Sequence, residues 1–255
     1  DTLSSRCQAW QLWRKRLIKI ADIEVSYVQH CGSDLVVANA ARVSFDKESD
    51  WEYKSSDDDT GFIGFETLKQ ADAKLINYLA KHLHKSPFNH SFITVKVKAP
   101  ISVARQLVKH KFMPWNEISR RYVSDEPEFY IPDNYRQAAE NVKQGSLEDF
   151  VEVKELGNGL AWSASRVVAN HVESCLSTYQ ELLVEGVCAE QARDVLPLNT
   201  LTEWYWSGTL GAFADMLVLR LSSYTQKESR IVAEKIRDII EPLFPVSLKA
   251  LLNNG

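Results

Sequence analysis

The sequence predicts an α+β fold, a single domain with a small mixed or antiparallel sheet and a largely helical C-terminal half. Three observations carry that expectation. Residues 91–98 (SFITVKVK) alternate β-branched with polar side chains, the period of a half-buried strand. The stretches 160–183, 209–226 and 228–242 place apolar residues at helical spacing. No internal repeat, low-complexity tract or Gly/Ser linker marks a second domain within the 255 residues.

Taken in order, residues 1–21 form an N-terminal extension to a domain spanning 22–250. Residues 23–30 (IEVSYVQH) alternate as a strand, and Ser33-Asp34 then caps a helix through LVVANAARV. The polar, acidic segment 46–61 (DKESDWEYKSSDDDTG) lacks an apolar period and is expected as a surface loop. Leu68, Ala71, Leu75, Ile76, Leu79 and Leu83 share one face of a helix over 66–84, which Ser86-Pro87 ends. After the strand at 91–98, residues 101–109 have helical spacing, and Pro114 breaks that helix so that the following residues form a loop. A long helix over 160–183 stops before Gly186, a short one covers 190–195 before Pro197, and two more cover 209–226 and 228–242.

Composition excludes several function classes. Thirty Lys and Arg face 34 Asp and Glu, for a net charge of −4, which argues against a nucleic-acid-wrapping surface. No run of eighteen apolar residues exists, so no membrane partner is expected, and cytoplasmic residence follows. Cys7, Cys31, Cys175 and Cys188 form no C-x-x-C pair and no zinc-ligand spacing with the histidines. They read as free thiols, and no metal is expected.

Against that acidic background, residues 105–122 (RQLVKHKFMPWNEISRRY) gather five Lys and Arg with a single Glu. Such local positive charge calls for an anionic ligand. The usual phosphate cradles, G-x-G-x-x-G after a strand and G-x-x-x-x-G-K-[ST], are both missing, so side chains must do the holding. Guanidinium grips phosphate with two parallel hydrogen bonds, and ammonium supplies a compact charge. No G-x-S-x-G elbow, H-E-x-x-H or protease-type cysteine occurs, so the chemistry falls to a bound cofactor. Arg193 (EQARDVLPL) and Arg220 (MLVLRLSSY) add to the anionic site. An arginine in so apolar a stretch as 216–224 costs several kcal/mol unless an anion or polarised carbonyl meets it.

These residues carry a family resemblance. Lys109-His110-Lys111, seven residues and then Ser119 is similar to the RHR-x7-S signature of the flavin-dependent thymidylate synthases, with Lys in place of both arginines. ARVSF at 41–45, KHLHKSPFNH at 81–90, KAPISVARQ at 98–106, NEISRRY at 116–122, EFYIP at 128–132, ARDVLPLN at 192–199 and LRLSSYTQKE at 219–228 each resemble a block of that family, in family order. The resemblance implies a ThyX-like fold, a homotetramer with inter-subunit sites, and reductive methylation of dUMP to dTMP. FAD would carry the hydride, with NADPH as reductant and 5,10-methylenetetrahydrofolate as carbon donor.

By position, Gln106, Lys109, Glu117, Ser119, Arg120, Arg121, Arg193 and Arg220 would hold dUMP, with Arg220 catalytic at the uracil ring. His84, Ser86, Lys109, His110, Lys111, Glu117, Thr209 and Asp215 would face FAD. At Thr209, Gly211 and Asp215 the chain departs from the Asn or Arg that family members carry at the flavin edge.

Blander readings compete at each position. His84 and His90 alone read as capping or surface imidazoles, and Ser119 as the cap of a turn. Glu117 has Arg120 and Arg121 to pair with, and Arg193 has Glu190 and Asp194. Two other functions compete as well: a flavin- or nucleotide-binding relative without activity, and a single-stranded RNA binder using Phe112, Trp115 and Tyr122 for stacking.

Overall fold

A computed structural model describes residues 18–58, 61–123, 125–140, 146–151 and 163–254. The N-terminal extension lies outside the described residues up to residue 17, as do Cys7 and the expected helix start at 160–162. The chain opens with β1 (Lys19–Ile20) and β2 (Glu24–Cys31), then α1 (Asp34–Arg42), whose first turn is capped by the Ser33 side chain as expected. Next come β3 (Glu52–Asp58) and β4 (Gly61–Thr67), α2 (Gln70–Lys81), a 3-10 turn at Ser86–His90, β5 (Phe92–Pro100) and α3 (Ile101–Leu107).

Short strands β6 (Trp115–Glu117), β7 (Glu128–Phe129), β8 (Arg136–Ala138) and β9 (Ser146–Phe150) lead to the long α4 (Ala164–Val184). The chain then runs through α5 (Ala189–Ala192), a 3-10 turn at Arg193–Val195, β10 (Leu201–Thr209), α6 (Leu210–Arg220), α7 (Lys227–Ile240) and α8 (Pro245–Asn253).

The main sheet has the order β2-β5-β10-β6 and is antiparallel throughout. Its long central pair runs in register from Leu201 opposite Pro100 to Thr209 opposite Phe92. Alternation then sorts the two faces. Ile93, Val95, Val97, Trp204 and Trp206 turn inward onto α2, α3, α6, α7 and α8, while Lys96, Lys98, Glu203 and Tyr205 occupy the other face. A second, smaller core joins Phe129 and Ile131 to Ala169, Val172, Leu176 and Tyr179 of α4. Ile18 is buried there, and β1 pairs in parallel with β7, so the end of the extension is part of the fold. Among the described residues no helix is long and apolar enough to cross a membrane.

Several elements differ from expectation. The loop expected over 46–61 is largely the β3–β4 hairpin, with Glu52 opposite Thr67. A two-stranded ladder is made by backbone groups, which an apolar period does not register. The hairpin also takes the residues at which the helix over 66–84 was expected to begin, so α2 starts at Gln70. It ends at Lys81, and Leu83 enters the left-handed region at φ 56° before Pro87 is reached. In the helical second half, β10 is a central strand, and residues 115–117, expected as loop, pair with it as β6.

Candidate active site

The turn from β5 into α3 sets the first group of site residues. Gln106 lies in the last turn of α3, and Lys109, His110 and Lys111 follow immediately. Opposite them, the end of α6 brings in Arg220. Its Nε donates to His110 Nε2 at 3.0 Å, and Nη2 donates to the Gln106 backbone carbonyl at 3.2 Å. Among the described residues no carboxylate meets the half-buried guanidinium, and burial pulls its pKa below the ordinary arginine value. Burial also lowers His110, with the Arg220 charge adding to the effect. Lys109 and Lys111 are exposed, and neither is in an ion pair with an acid of the described residues. Between them and Pro114, Phe112 is 92% exposed with φ at 61°, a costly backbone region for an aromatic residue.

A second cationic group forms around the turn after β6. Arg121 Nε donates to Ser119 Oγ at 3.2 Å, and its Nη1 lies 3.7 Å from Glu190 Oε1. Arg193 Nε donates to the Glu190 backbone carbonyl at 3.2 Å, so Arg121 and Arg193 converge on one residue. Arg120 instead donates to the carbonyl of Asp125 at 2.7 Å. Among the described residues, no hydrogen bond or ion pair joins this group to Arg220 or His110.

Glu117 does not pair with Arg120 or Arg121. Its carboxylate accepts from Thr202 Oγ1 at 2.8 Å and from the Trp115 indole N–H at 3.0 Å, which tie β6 to β10. The third group surrounds the start of α6. Thr209 caps that helix and donates to Asn89 Oδ1 at 2.7 Å, while Asp215 pairs with Lys85 at 2.5 Å. A side chain at Gly211 would meet Asn89 Oδ1 at 2.6 Å, so Asn89 fills the space beside Thr209. Ser86 and His84 are exposed on the adjoining 3-10 turn and its approach, with the His84 ring 6.2 Å from Tyr78.

Sequence reasoning missed the residues behind Gln106, namely Arg136, Gln226, Glu228 and Ser229. It also missed the stack of Trp115 on Trp204, at 4.3 Å between ring centres, beside Trp206. The alternation of TEWYWS over 202–207 was the available signal for the latter.

The gathered groups are cations, amides and an imidazole, with the carboxylates of Glu117, Glu190 and Asp215 and the hydroxyls of Ser119 and Thr209 beside them. Such a set suits the binding of an anionic ligand by charge and hydrogen bonding. More particularly, the chain belongs to the family described as thymidylate synthase complementing protein, whose model matches residues 26–246. It is 34% identical over 226 residues to the flavin-dependent thymidylate synthase of Thermosipho africanus, covering 88% of this chain and 89% of that one. Identity to the enzyme of the same name from Thermus thermophilus is also 34%, over 89% of this chain and 74% of that one. Among solved structures, the UMP/dUMP methylase PolB of Streptomyces cacaoi, bound with 5-Br dUMP, is similar at a TM-score of 0.73 and 29% identity, covering 93% of this chain and 98% of that one.

Proposed function

We infer that this chain methylates dUMP reductively to dTMP, with FAD, NADPH and methylenetetrahydrofolate, as a cytoplasmic homotetramer whose catalytic domain takes in 22–250 together with the short strand before it. The observation that carries the reading is Arg220: a half-buried guanidinium with no acid partner among the described residues, held in place by His110 and the Gln106 carbonyl. Placed against a uracil ring, it stabilises the negative charge that grows as the ring is activated. Gln106 orients the base, and Ser119, Arg120, Arg121 and Arg193 take the phosphate. Arg121 and Arg193 give up the weak hold of Glu190 to do so.

The residues present fit FAD. Among the described residues Lys109 and Lys111 are cations without an acid partner, suited to a pyrophosphate, and His84 and Ser86 sit at the 3-10 turn that Thr209 and Asp215 reach through Asn89 and Lys85. When bound, FAD supplies hydride transfer, which explains why no protein nucleophile is required. Glu117 holds β6 to β10 through Thr202 and the Trp115 indole, and in this reading its carboxylate also faces the dUMP and FAD sites. Among the described residues no hydrogen bond or ion pair joins the Arg220 group to the Arg121 group, which favours a site completed by a second copy of the chain.

Purified protein should be yellow, with the spectrum of oxidised flavin, and should release tritium from C5 of labelled dUMP when NADPH and the folate are supplied. A colourless preparation that takes up no added FAD overturns the reading. A flavoprotein that releases no tritium leaves only the binding relative.

A further inference from the structure

Glu228, buried in the first turn of α7, is the fixed end of a hydrogen-bonded row that reaches the active site. Arg136 of β8 grips both of its oxygens, Nη1 to Oε1 at 2.9 Å and Nη2 to Oε2 at 3.0 Å. Burial, the largest influence, pushes the carboxyl up, but hydrogen bonds from Arg136, Gln226 and the backbone, together with the Arg136 charge, hold the group below its ordinary value. The carboxylate is therefore ionised and only accepts.

That polarity propagates. Gln226 must present its amide nitrogen to Glu228, and Nε2 donates to Oε2 at 2.9 Å. Its carbonyl then faces the other way and accepts from Gln106 Nε2. The Gln106 carbonyl is left facing Ser229, whose hydroxyl donates to Oε1 at 2.9 Å. Reversing either amide would set donor against donor or acceptor against acceptor. One charge thus dictates two amide orientations, and Gln106 also accepts Arg220 on its backbone carbonyl.

We propose that Gln226 and Glu228 are positioning residues for the nucleotide site, fixing with Arg136 which end of the Gln106 amide a ligand meets and steadying the carbonyl on which Arg220 leans. The proposal rests on Gln106 and Arg220 being nucleotide-binding. Gln106 keeps one N–H and one carbonyl lone pair beyond those used in the row. A pyrimidine edge alternates acceptor, donor and acceptor, so an amide of set orientation reads it and one that flips does not.

Gln226→Ala cuts the row at an exposed position and leaves the Arg136–Glu228 pair intact. Glu228→Gln keeps the shape but gives Gln226 a partner that both donates and accepts. By calorimetry, the dissociation constant for dUMP should rise about tenfold in each, the loss of one well-made hydrogen bond. In Gln226→Ala the flavin spectrum and the unfolding midpoint should stay as in the parent. Its His110 ring resonance should titrate at higher pH, because a loosened Arg220 no longer opposes protonation.

A dissociation constant for Gln226→Ala within about twofold of the parent's, with His110 titrating as before, overturns the proposal. Should Glu228→Gln fail to fold, Gln226→Ala decides alone. A parent protein that binds no dUMP refutes the substrate rather than the positioning. In that event the His110 titration decides, a rise in Gln226→Ala supporting the proposal and no rise overturning it.

Discussion

Arg220 donates its Nε–H to Nε2 of His110 at 3.0 Å, so the imidazole is an acceptor at that nitrogen and carries its proton on Nδ1. Protonating Nε2 would remove the acceptor and set a second cation against the guanidinium. The middle residue of the KHK signature therefore serves Arg220 in its neutral form.

The first prediction follows from that pair. His110 is lowered from 6.5, first by burial and then by Arg220, so the unfolded chain takes up this proton at higher pH than the folded one does. The stability it contributes is full above the unfolded value and is lost as pH falls through the lower folded value. Arg220→Ala should raise the His110 titration seen by NMR but leave it below the ordinary value, because burial persists. The same variant should abolish turnover while most flavin stays bound.

Lys109→Ala should show the opposite division. An exposed ammonium with no acid partner adds little to stability, so the unfolding midpoint should hold. Flavin should be lost first on gel filtration, and excess FAD should restore much of the turnover. Equal loss of flavin in Lys109→Ala and Arg220→Ala would show that the two residues do not divide the site in this way.

The elements that sequence reasoning identified well, α1, β5, α4 and α7, have a buried face that repeats at a fixed period. The β3–β4 hairpin and β6 were missed because short ladders rest on backbone pairing, which side-chain alternation over three to seven residues does not announce. The site divides along the same line. Lys109, Arg193 and Arg220 stand out in the sequence by their charge alone. The pairing of Glu117 with Arg120 or Arg121 suggested by sequence proximity does not form, since its actual partner, Thr202, lies 85 residues away. Long-range partners of that kind, like Arg136 and Glu228, exist only once the sheet and α7 are assembled.

Asp34 offers a test of how α8 is anchored. Its two carboxylate oxygens accept the backbone N–H groups of Val246 and Ser247, both at 2.9 Å, at the start of α8. Asp34→Ala leaves two donors unpaired at a helix N-terminus and removes a charge that favours that end. The cost should be about 2–4 kcal/mol in denaturant unfolding. Flavin content per folded molecule should not change.

Two glycines separate strain from space. Gly32 and Gly186 have φ at 90° and 85°, so alanine is disfavoured at both. At Gly186 an added Cβ meets nothing within 4 Å, whereas at Gly32 it would lie 2.3 Å from Ser91 Oγ and 3.0 Å from Ser91 Cα. Gly186→Ala should cost about 1 kcal/mol. Gly32→Ala should cost clearly more, because β2, which ends at Cys31, must shift against β5 to make room. Matched unfolding curves for the two variants measure the difference.

Glu190 tests whether the second cationic group is held ready for phosphate. Its carboxylate is 63% exposed and stands 3.7 Å from an Arg121 guanidinium that is itself 43% exposed, a separation too long for a good charge-assisted hydrogen bond. Exposed pairs of this kind are worth about 0–1 kcal/mol, so Glu190→Gln should leave the unfolding midpoint nearly unchanged. Its effect should appear in binding instead. In the parent, a phosphate must draw Arg121 away from Glu190 and approach a negative charge. In the variant that repulsion is gone, while the Glu190 backbone carbonyl still accepts from Arg193. The dissociation constant for dUMP should fall by about two- to fivefold at low salt, and the gain should shrink as added salt screens the charge. Unchanged affinity at low salt would place the phosphate away from Arg121 and leave Ser119, Arg121 and Glu190 as a surface turn.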